Sequence, residues 1–405
     1  MSDADLAIPL SLDDLTPDYL TMALRQSGLL TRGRVTSFDS RVIGEGAGFM
    51  GDVVDLSLQY SDDADADERA FVLKIPTASK NREIGQTLGV YEREIRFYRE
   101  FQPHLSIRTP RHYFSAMNTR VEPETGLKAI RLLDRLPMWL IRILLPLINW
   151  ANGRAEYHYV LLIEHLKKYR IGDQVAGCSD EESRRVLAAM ARMHAQFRDN
   201  PVLDTYAWLV PYRYAAKPLQ MMYRRATDPF KARYQDVLTP HARSLIDWLR
   251  DNYFSLMTAL ESRPSTLVHG DFRLDNLCFD DETGDVILFD WQTLGVSCGS
   301  IDLAYFLSAA ISEDAPAGSV DELLEYYRQE LGKQGVDVAP EVLRWEYDVG
   351  LLAMLHRLVP AEFQDMLDLG DGRGNEIIGT WMKRIMTHIE KVDAEALMRS
   401  VPARG

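Results

Sequence analysis

Leu267-Val-His-Gly-Asp-Phe-Arg-Leu-Asp-Asn276, followed by Ile287-Leu-Phe-Asp-Trp-Gln292, is the stretch that decides the fold. It sets an acid, Asp271, five positions before an amide, Asn276, and puts a second acid, Asp290, at the end of a short apolar strand. Phosphoryl transfer needs a carboxylate to orient or deprotonate a hydroxyl, ligands for a divalent cation, and positive charge at the moving group. Asp271 suits the first task. The oxygens of Asn276 and Asp290 are hard donors that suit magnesium, which keeps waters and binds mainly through nucleotide phosphates. Arg273 supplies a cation two residues beyond Asp271. His-Gly-Asp alone is too short to mean much; the two segments at this separation are what set it apart from a chance loop.

Upstream, Gly44-Glu-Gly-Ala-Gly-Phe-Met-Gly51 contains a G-x-G-x-x-G at Gly46, Gly48 and Gly51. In a dinucleotide-binding fold the third glycine opens a helix. Here Val54, Leu56, Leu58 and Tyr60 alternate instead, which predicts a strand. A glycine hairpin between strands is the form that covers ATP phosphates in kinases, with a flexible turn as the plainer alternative.

Phe71-Val-Leu-Lys-Ile75 puts Lys74 on an otherwise apolar strand, where an ammonium is costly unless paired. Glu94 is the predicted partner, because Tyr91, Glu94, Tyr98 and Phe101 recur at helical spacing. Glu83 is the second choice, and Glu92 points elsewhere. Tyr159-Val-Leu-Leu-Ile-Glu-His-Leu166 has the form of a strand leading into a hinge, whose backbone near Glu164 to Leu166 would meet adenine. An ordinary buried strand end explains it nearly as well.

These pieces lie in a β-rich segment of residues 1–165 followed by a helical segment of residues 166–405, an α+β arrangement. Strands are expected near 35–42, 52–60, 70–76, 112–116 and 157–163, and a helix from about 82 to 101. Ser179-Asp-Glu-Glu182 predicts a capping box opening a helix through about Arg198. Further helices follow, one over about Pro240 to Glu261. His269 and His194 are expected to be structural, and Asp302 to brace the loop from a helix N-terminus.

The bulk properties narrow the function. A net charge of −14 argues against nonspecific nucleic-acid binding. Three cysteines, Cys178, Cys278 and Cys298, show no pairing pattern, which predicts a reducing compartment. The acidic N-terminus lacks a secretory pattern and the longest apolar run is interrupted, so a cytoplasmic location is expected.

His269-Gly-Asp271…Asn276 with Asp290-Trp-Gln292 resembles the motif of the aminoglycoside phosphotransferase and choline kinase-like superfamily. With Asp302-Leu-Ala-Tyr-Phe306, it is similar to the ecdysteroid kinase-like and hydroxyacyl-CoA kinase-like branches. The resemblance spans roughly residues 35 to 310. It implies a bilobal protein-kinase-like fold, ATP, magnesium and a hydroxylated small-molecule acceptor. It gives Asp271 the role of catalytic base and Asn276 and Asp290 the metal. An apolar acceptor, sterol-like or hydroxyacyl, is one expectation, and an aminoglycoside or macrolide antibiotic is the alternative. A non-catalytic nucleotide-binding module is disfavoured by the complete set of Lys74, Asp271, Asn276 and Asp290. A protein kinase is disfavoured by Trp291 and by the lack of Ala-Pro-Glu after Asp290.

One departure from the compact pattern is an insertion at about 118–156, including Leu136-Pro-Met-Trp-Leu-Ile-Arg-Ile-Leu-Leu-Pro-Leu-Ile-Asn-Trp150. A helix packed on the N-terminal lobe is the favoured expectation. The alternative is an apolar cover or interfacial element serving a lipid-like or acyl substrate, with membrane contact through residues 136–150.

Overall fold

The computed structural model describes residues 8–9, 11–43, 52–75, 89–118, 122–153, 158–361 and 372–401. The glycines Gly46, Gly48 and Gly51, and the alternative partner Glu83, lie outside the described residues. Helix α1 (Pro17–Gln26) comes first. Thr16 caps it by accepting the Tyr19 N–H at 3.1 Å, and Pro17 opens it, where a missing N–H does no harm. That helix was not expected from the sequence.

Strands β1 (Val35–Ile43), β2 (Asp52–Tyr60) and β3 (Ala70–Ile75) precede helix α2 (Val90–Arg96), which runs on into a π-helical turn over Phe97–Phe101. Next come β4 (His112–Met117), helices α3 (Pro123–Arg135) and α4 (Met138–Gly153), and β5 (Tyr159–Glu164). The five strands form one antiparallel sheet in the order β1-β2-β3-β5-β4.

The two faces of that sheet explain why β5 reads as an unbroken apolar run. Val160 and Leu162 join a core with Val54, Leu56, Phe71 and Leu73, covered by Tyr19, Leu20 and Leu24 of α1. Tyr159, Leu161 and Ile163 point the other way, into a larger core shared with α2 and the helical lobe. Alternation of side chains along a strand therefore feeds both cores from one segment.

The helical lobe begins after a short strand β6 (Arg170–Ile171) with α5 (Asp180–Phe197). Its capping box is formed: Ser179 Oγ accepts the Glu182 N–H at 3.2 Å, and Glu182 Oε2 accepts the Ser179 N–H at 2.9 Å. Then come α6 (Ala216–Arg233) and α7 (Pro240–Glu261). The short strands β7 (Thr266–Val268), β8 (Leu277–Phe279), β9 (Val286–Leu288) and β10 (Gly295–Ser297) frame the segment that carries Asp271 and Asp290. Helices α8 (Ser300–Ala310), α9 (Ser319–Lys333), α10 (Pro340–Ala361), α11 (Arg373–Ile389) and α12 (Ala394–Ser400) complete the lobe. This is the α+β, bilobal protein-kinase-like architecture expected from the sequence.

The insertion does not pack on the sheet lobe as expected. It docks on the helical lobe, where Arg213 pairs with Asp134 at 2.8 Å and Lys217 donates to the Leu136 carbonyl at 2.8 Å and to the Asp134 carbonyl. The last carbonyls of α3 carry the negative end of its dipole, so a lysine at that end is a favoured partner.

Buried histidines make this fold lose stability in acid, His112, His356 and His388 among them, while Asp348, raised to about 6 by burial, works the other way. His356 is stacked between Tyr223 and Tyr253, and His388 Nδ1 sits 2.6 Å from the Tyr347 hydroxyl. Burial pushes His388 down to about 4 and His356 well below the usual histidine value. The unfolded chain takes up protons at these sites below about pH 6.5, whereas folded His388 resists until about 4, so stability falls as pH drops through that window. At pH 5 the loss from His388 is on the order of 2 kcal/mol. The urea midpoint should therefore fall less between pH 7.5 and pH 5 in a His388→Gln variant than in the parent, and an equal fall in both would mean that His388 titrates normally.

Candidate active site

Lys74 stands on β3 between Leu161 of β5 and Val53 of β2, with its ammonium buried. Its Nζ lies 2.7 Å from Glu94 Oε1 and 3.0 Å from Asp290 Oδ1. Burial works against the charge, but Asp290 and Glu94 together raise the Lys74 pKa above its ordinary value, so the ammonium persists. Glu94 is fully within the core on α2, and its second oxygen accepts from Gln292 Nε2 at 3.3 Å. Glu92 instead pairs with Arg96 at 2.8 Å, facing away.

Asp290 adopts φ 63° and ψ 66°, a left-handed conformation that a non-glycine residue holds only when its surroundings compel it. The surroundings are plain. Trp291, the next residue, is fully buried, stacks on Phe97 at 4.1 Å and donates its indole N–H to the Leu288 carbonyl at 3.1 Å. Arg93 donates to the Gln292 carbonyl at 3.1 Å. The ring and the two polar contacts clamp the Asp290–Gln292 turn to α2 and its π-helical extension.

The loop carrying Asp271 hangs from a buried carboxylate. Asp302, in the first turn of α8, accepts the His269 N–H at 2.7 Å and the Gly270 N–H at 2.8 Å. His194 Nε2 lies 3.3 Å from the same carboxylate, and its Nδ1 lies 2.7 Å from the Tyr327 hydroxyl. His269 spans the loop, its Nε2 facing the Phe289 carbonyl at 3.0 Å and its Nδ1 accepting the Asp271 N–H at 3.3 Å. Those contacts call for a neutral ring with the proton on Nε2. Gly270, at φ +80°, has no room for a Cβ, which would run into the Tyr212 hydroxyl and the Thr293 carbonyl.

Asn276 donates from Nδ2 to the Asp271 carbonyl and to Asp271 Oδ2, both at 2.9 Å. That fixes the amide and turns Oδ1 outward as an acceptor. Arg273 Nε stands 3.4 Å from Asp271 Oδ2, and its guanidinium is steadied by Asp275 at 3.5 Å. Asp275 is in turn held by Arg373 at 2.9 Å. Burial raises the Asp271 carboxyl, but the Arg273 charge, the Tyr305 hydroxyl and the Arg357 charge outweigh it and hold Asp271 below the usual carboxylate range.

Arg357 and Tyr305 are absent from the sequence-derived site. Arg357 sits on α10 and donates to the Gly270 carbonyl; its guanidinium lies over the Tyr305 ring at 5.7 Å. Arg357 belongs to no motif near the loop that carries Asp271, and no pattern in α10 marks it; Tyr305 lies within Asp302-Leu-Ala-Tyr-Phe306, where only Asp302 is given a role by the sequence. Only the fold brings them beside Asp271.

Glu164 and Leu166, at and just after the end of β5, have part of their polar groups already engaged. The Glu164 N–H donates to the Arg111 carbonyl at 2.8 Å and its carboxylate accepts the Arg111 N–H at 3.1 Å, so both are committed to extending the sheet. The Leu166 carbonyl accepts the Tyr169 N–H at 2.9 Å in a turn. Among the described residues no cluster of three or more histidine, cysteine or carboxylate groups forms a metal cage. Two oxygen donors, from Asn276 and Asp290, do fit a magnesium ion that arrives with nucleotide phosphates.

A sheet with a buried, doubly paired lysine set against a helical lobe that carries the loop defines a protein of the kinase-like class. The ecdysteroid kinase-like family model matches residues 45–337, and the chain belongs to that family. Among curated proteins no sequence matches. Among solved structures the chain is similar to an amicoumacin kinase in complex with AMP-PNP, Ca2+ and Ami, at 15% identity and TM-score 0.48 over 93% of this chain and 96% of that one. It is also similar to choline kinase from Cryptosporidium parvum Iowa II, at 10% identity and TM-score 0.48 over 90% and 91%. A macrolide 2'-phosphotransferase type I aligns at 14% identity and TM-score 0.46 over 93% and 98%.

Replacing Asp302 by Ala leaves two buried N–H groups without their acceptor, at a cost on the order of 2–4 kcal/mol. Denaturant melts of Asp302→Ala should show a loss of that size, with Asp302→Asn intermediate because its amide keeps one acceptor. Two variants as stable as the parent would show that the loop is held by other contacts.

Proposed function

We propose that the chain is an ATP-dependent phosphotransferase that moves the γ-phosphate to a hydroxyl of a small molecule. The observation that carries the reading is the meeting of Lys74, Glu94 and Asp290 across the two lobes, beside a loop that holds Asp271 and Asn276 in mutual hydrogen bonds. ATP lies between the residue 1–165 and residue 166–405 lobes, with Gly46, Gly48 and Gly51 over its phosphates and adenine against the Glu164 carbonyl and the Leu166 N–H. Lys74, fixed by Glu94, grips the phosphates. Asn276 Oδ1 and Asp290 hold magnesium, which when bound offsets phosphate charge and aligns the nucleotide.

Asp271 orients the acceptor hydroxyl and receives its proton as the O–P bond forms. Because its carboxyl is held low, it stays ionised through the neutral range and acts first as an aligning acceptor. Arg273 and Arg357 offset the charge that gathers on the transferring group. Most of the rate gain is then positioning and electrostatics. Asp271→Ala should leave ATP affinity nearly unchanged while turnover falls by roughly 10²–10⁴-fold. Substantial turnover in that variant would remove Asp271 from the chemistry.

The acceptor is proposed to be apolar, sterol-like or hydroxyacyl. Two guanidinium groups act on Asp271, and a polycation placed there would meet both. That disfavours an aminoglycoside over a neutral or anionic acceptor, while a macrolide remains the second reading. The cytoplasm is the proposed location, in keeping with Cys178, Cys278 and Cys298 all standing as free thiols. Measuring magnesium-dependent ADP release against sterols, hydroxyacyl-CoAs, macrolides, aminoglycosides and amino alcohols should give turnover with one of the first two classes. Preference for an aminoglycoside would overturn the electrostatic argument, and no turnover with any acceptor would favour a nucleotide-binding module.

A further inference from the structure

We infer that the inserted α3–α4 segment is a docking surface for an anionic lipid bilayer, on which α4 lies flat. Seen along α4, which packs on α6 of the helical lobe, Ile141 is 3% exposed. Trp139, Ile143 and Leu147 are 65%, 56% and 60% exposed, and Leu132 at the end of α3 is 61% exposed. Residues four apart fall on one side of a helix. The three α4 side chains therefore form a continuous apolar stripe opposite the docked face.

The stripe is not background. Only Met22, Ile171 and Val237 stand as comparably bared large apolar side chains elsewhere among the described residues, each in a different element or loop. An apolar band confined to one inserted segment marks a contact surface.

Charge names the occupant. Lys128, Arg131 and Arg135 of α3 and Arg142 of α4 are all exposed. Within α3 and the part of α4 up to Leu147 the acids are Glu124, in the first turn of α3, and Asp134, which is engaged with Arg213. This cationic rim stands on a chain whose net charge is −14. An anionic surface would repel most of the molecule and attract this part, which selects both the face and the orientation. Arg142 flanks the stripe, where its stem can lie along apolar surface and its guanidinium can reach lipid phosphate. A tryptophan at the same level suits the boundary between headgroups and acyl chains. No helix among the described residues is long and apolar enough to cross a membrane, so the contact is with the surface.

The same features disfavour a second copy of the chain. A twofold contact through this patch would set the cations of one copy against those of the other. The docking is also firm: Asp134–Arg213 and the Lys217 contacts pin the end of α3 and the start of the turn, so the stripe is presented on a fixed base.

The test is co-sedimentation of the full chain with vesicles of phosphatidylcholine alone and of phosphatidylcholine with phosphatidylglycerol, at low and high salt. Binding is expected to the anionic vesicles and to weaken with salt. The triple variant Trp139→Ser, Ile143→Ser, Leu147→Ser and the pair Arg131→Glu, Arg135→Glu should each lower the partition coefficient about tenfold or more. Circular dichroism and melting curves establish that the variants are folded. A parent that stays in the supernatant with anionic vesicles overturns the inference, as does binding that neither variant weakens. Light scattering adds one more outcome: a dimer of the parent that the triple variant dissolves, without vesicle binding, would make the stripe an interface between copies and also overturn it. The vesicle measurement needs no nucleotide or acceptor, so it stands or falls apart from the phosphotransfer reading.

Discussion

An ammonium withdrawn from water survives only where carboxylates are brought to it, and the Lys74 contact with Glu94 and Asp290 makes that demand of three distant segments at once. Lys74 fixes the position of β3, Glu94 fixes the rotation of α2, and Asp290 fixes the turn after β9. Removing one partner from such a buried cluster leaves a charge uncompensated, at about 3–5 kcal/mol. The cluster is thus poor as a source of stability and strong as a constraint on geometry. The left-handed backbone at Asp290 belongs to the same constraint, since the Trp291–Phe97 stack and the Arg93 contact hold it there.

The loop that carries Asp271 depends on a second buried acid. Asp302 binds two successive N–H groups of the loop and is itself oriented by His194, which leans on Tyr327. Three elements of the helical lobe therefore converge on the two residues before Asp271. The arrangement explains why histidines in an apolar helix and in the loop need no catalytic duty. Their ring nitrogens are spent on holding shape.

Around Asp271 the fold adds charge that the motif does not contain. Arg357 arrives from α10 and touches the loop at the Gly270 carbonyl, where the close approach of Tyr212 leaves space for glycine alone. Arg273 is steadied by Asp275 and, through it, by Arg373. A carboxylate set among guanidinium groups remains ionised and stays in place.

Much of this was legible in the residues themselves. Period-two alternation located β2, and the Ser179–Glu182 pair located the start of α5, because strand faces and helix caps are local chemistry. The apolar stripe through Tyr91 and Tyr98 singled out Glu94 over Glu92, since helical spacing alone decides which side chains share a face. Thr16-Pro17 also carried a start signal for α1, but a short opening helix has too few turns for its period to stand out. Other features lay beyond any local pattern. Asp290 reaching Lys74, Arg357 reaching Gly270 and the insertion settling on the helical lobe all join residues far apart along the chain. The local sequence thus determined which residues were chemically equipped for the site and which segments were strands or helices. Tertiary packing alone decided which charges meet, because burial of a distant partner, and the dielectric it creates, is a property of the folded volume and not of spacing along the chain.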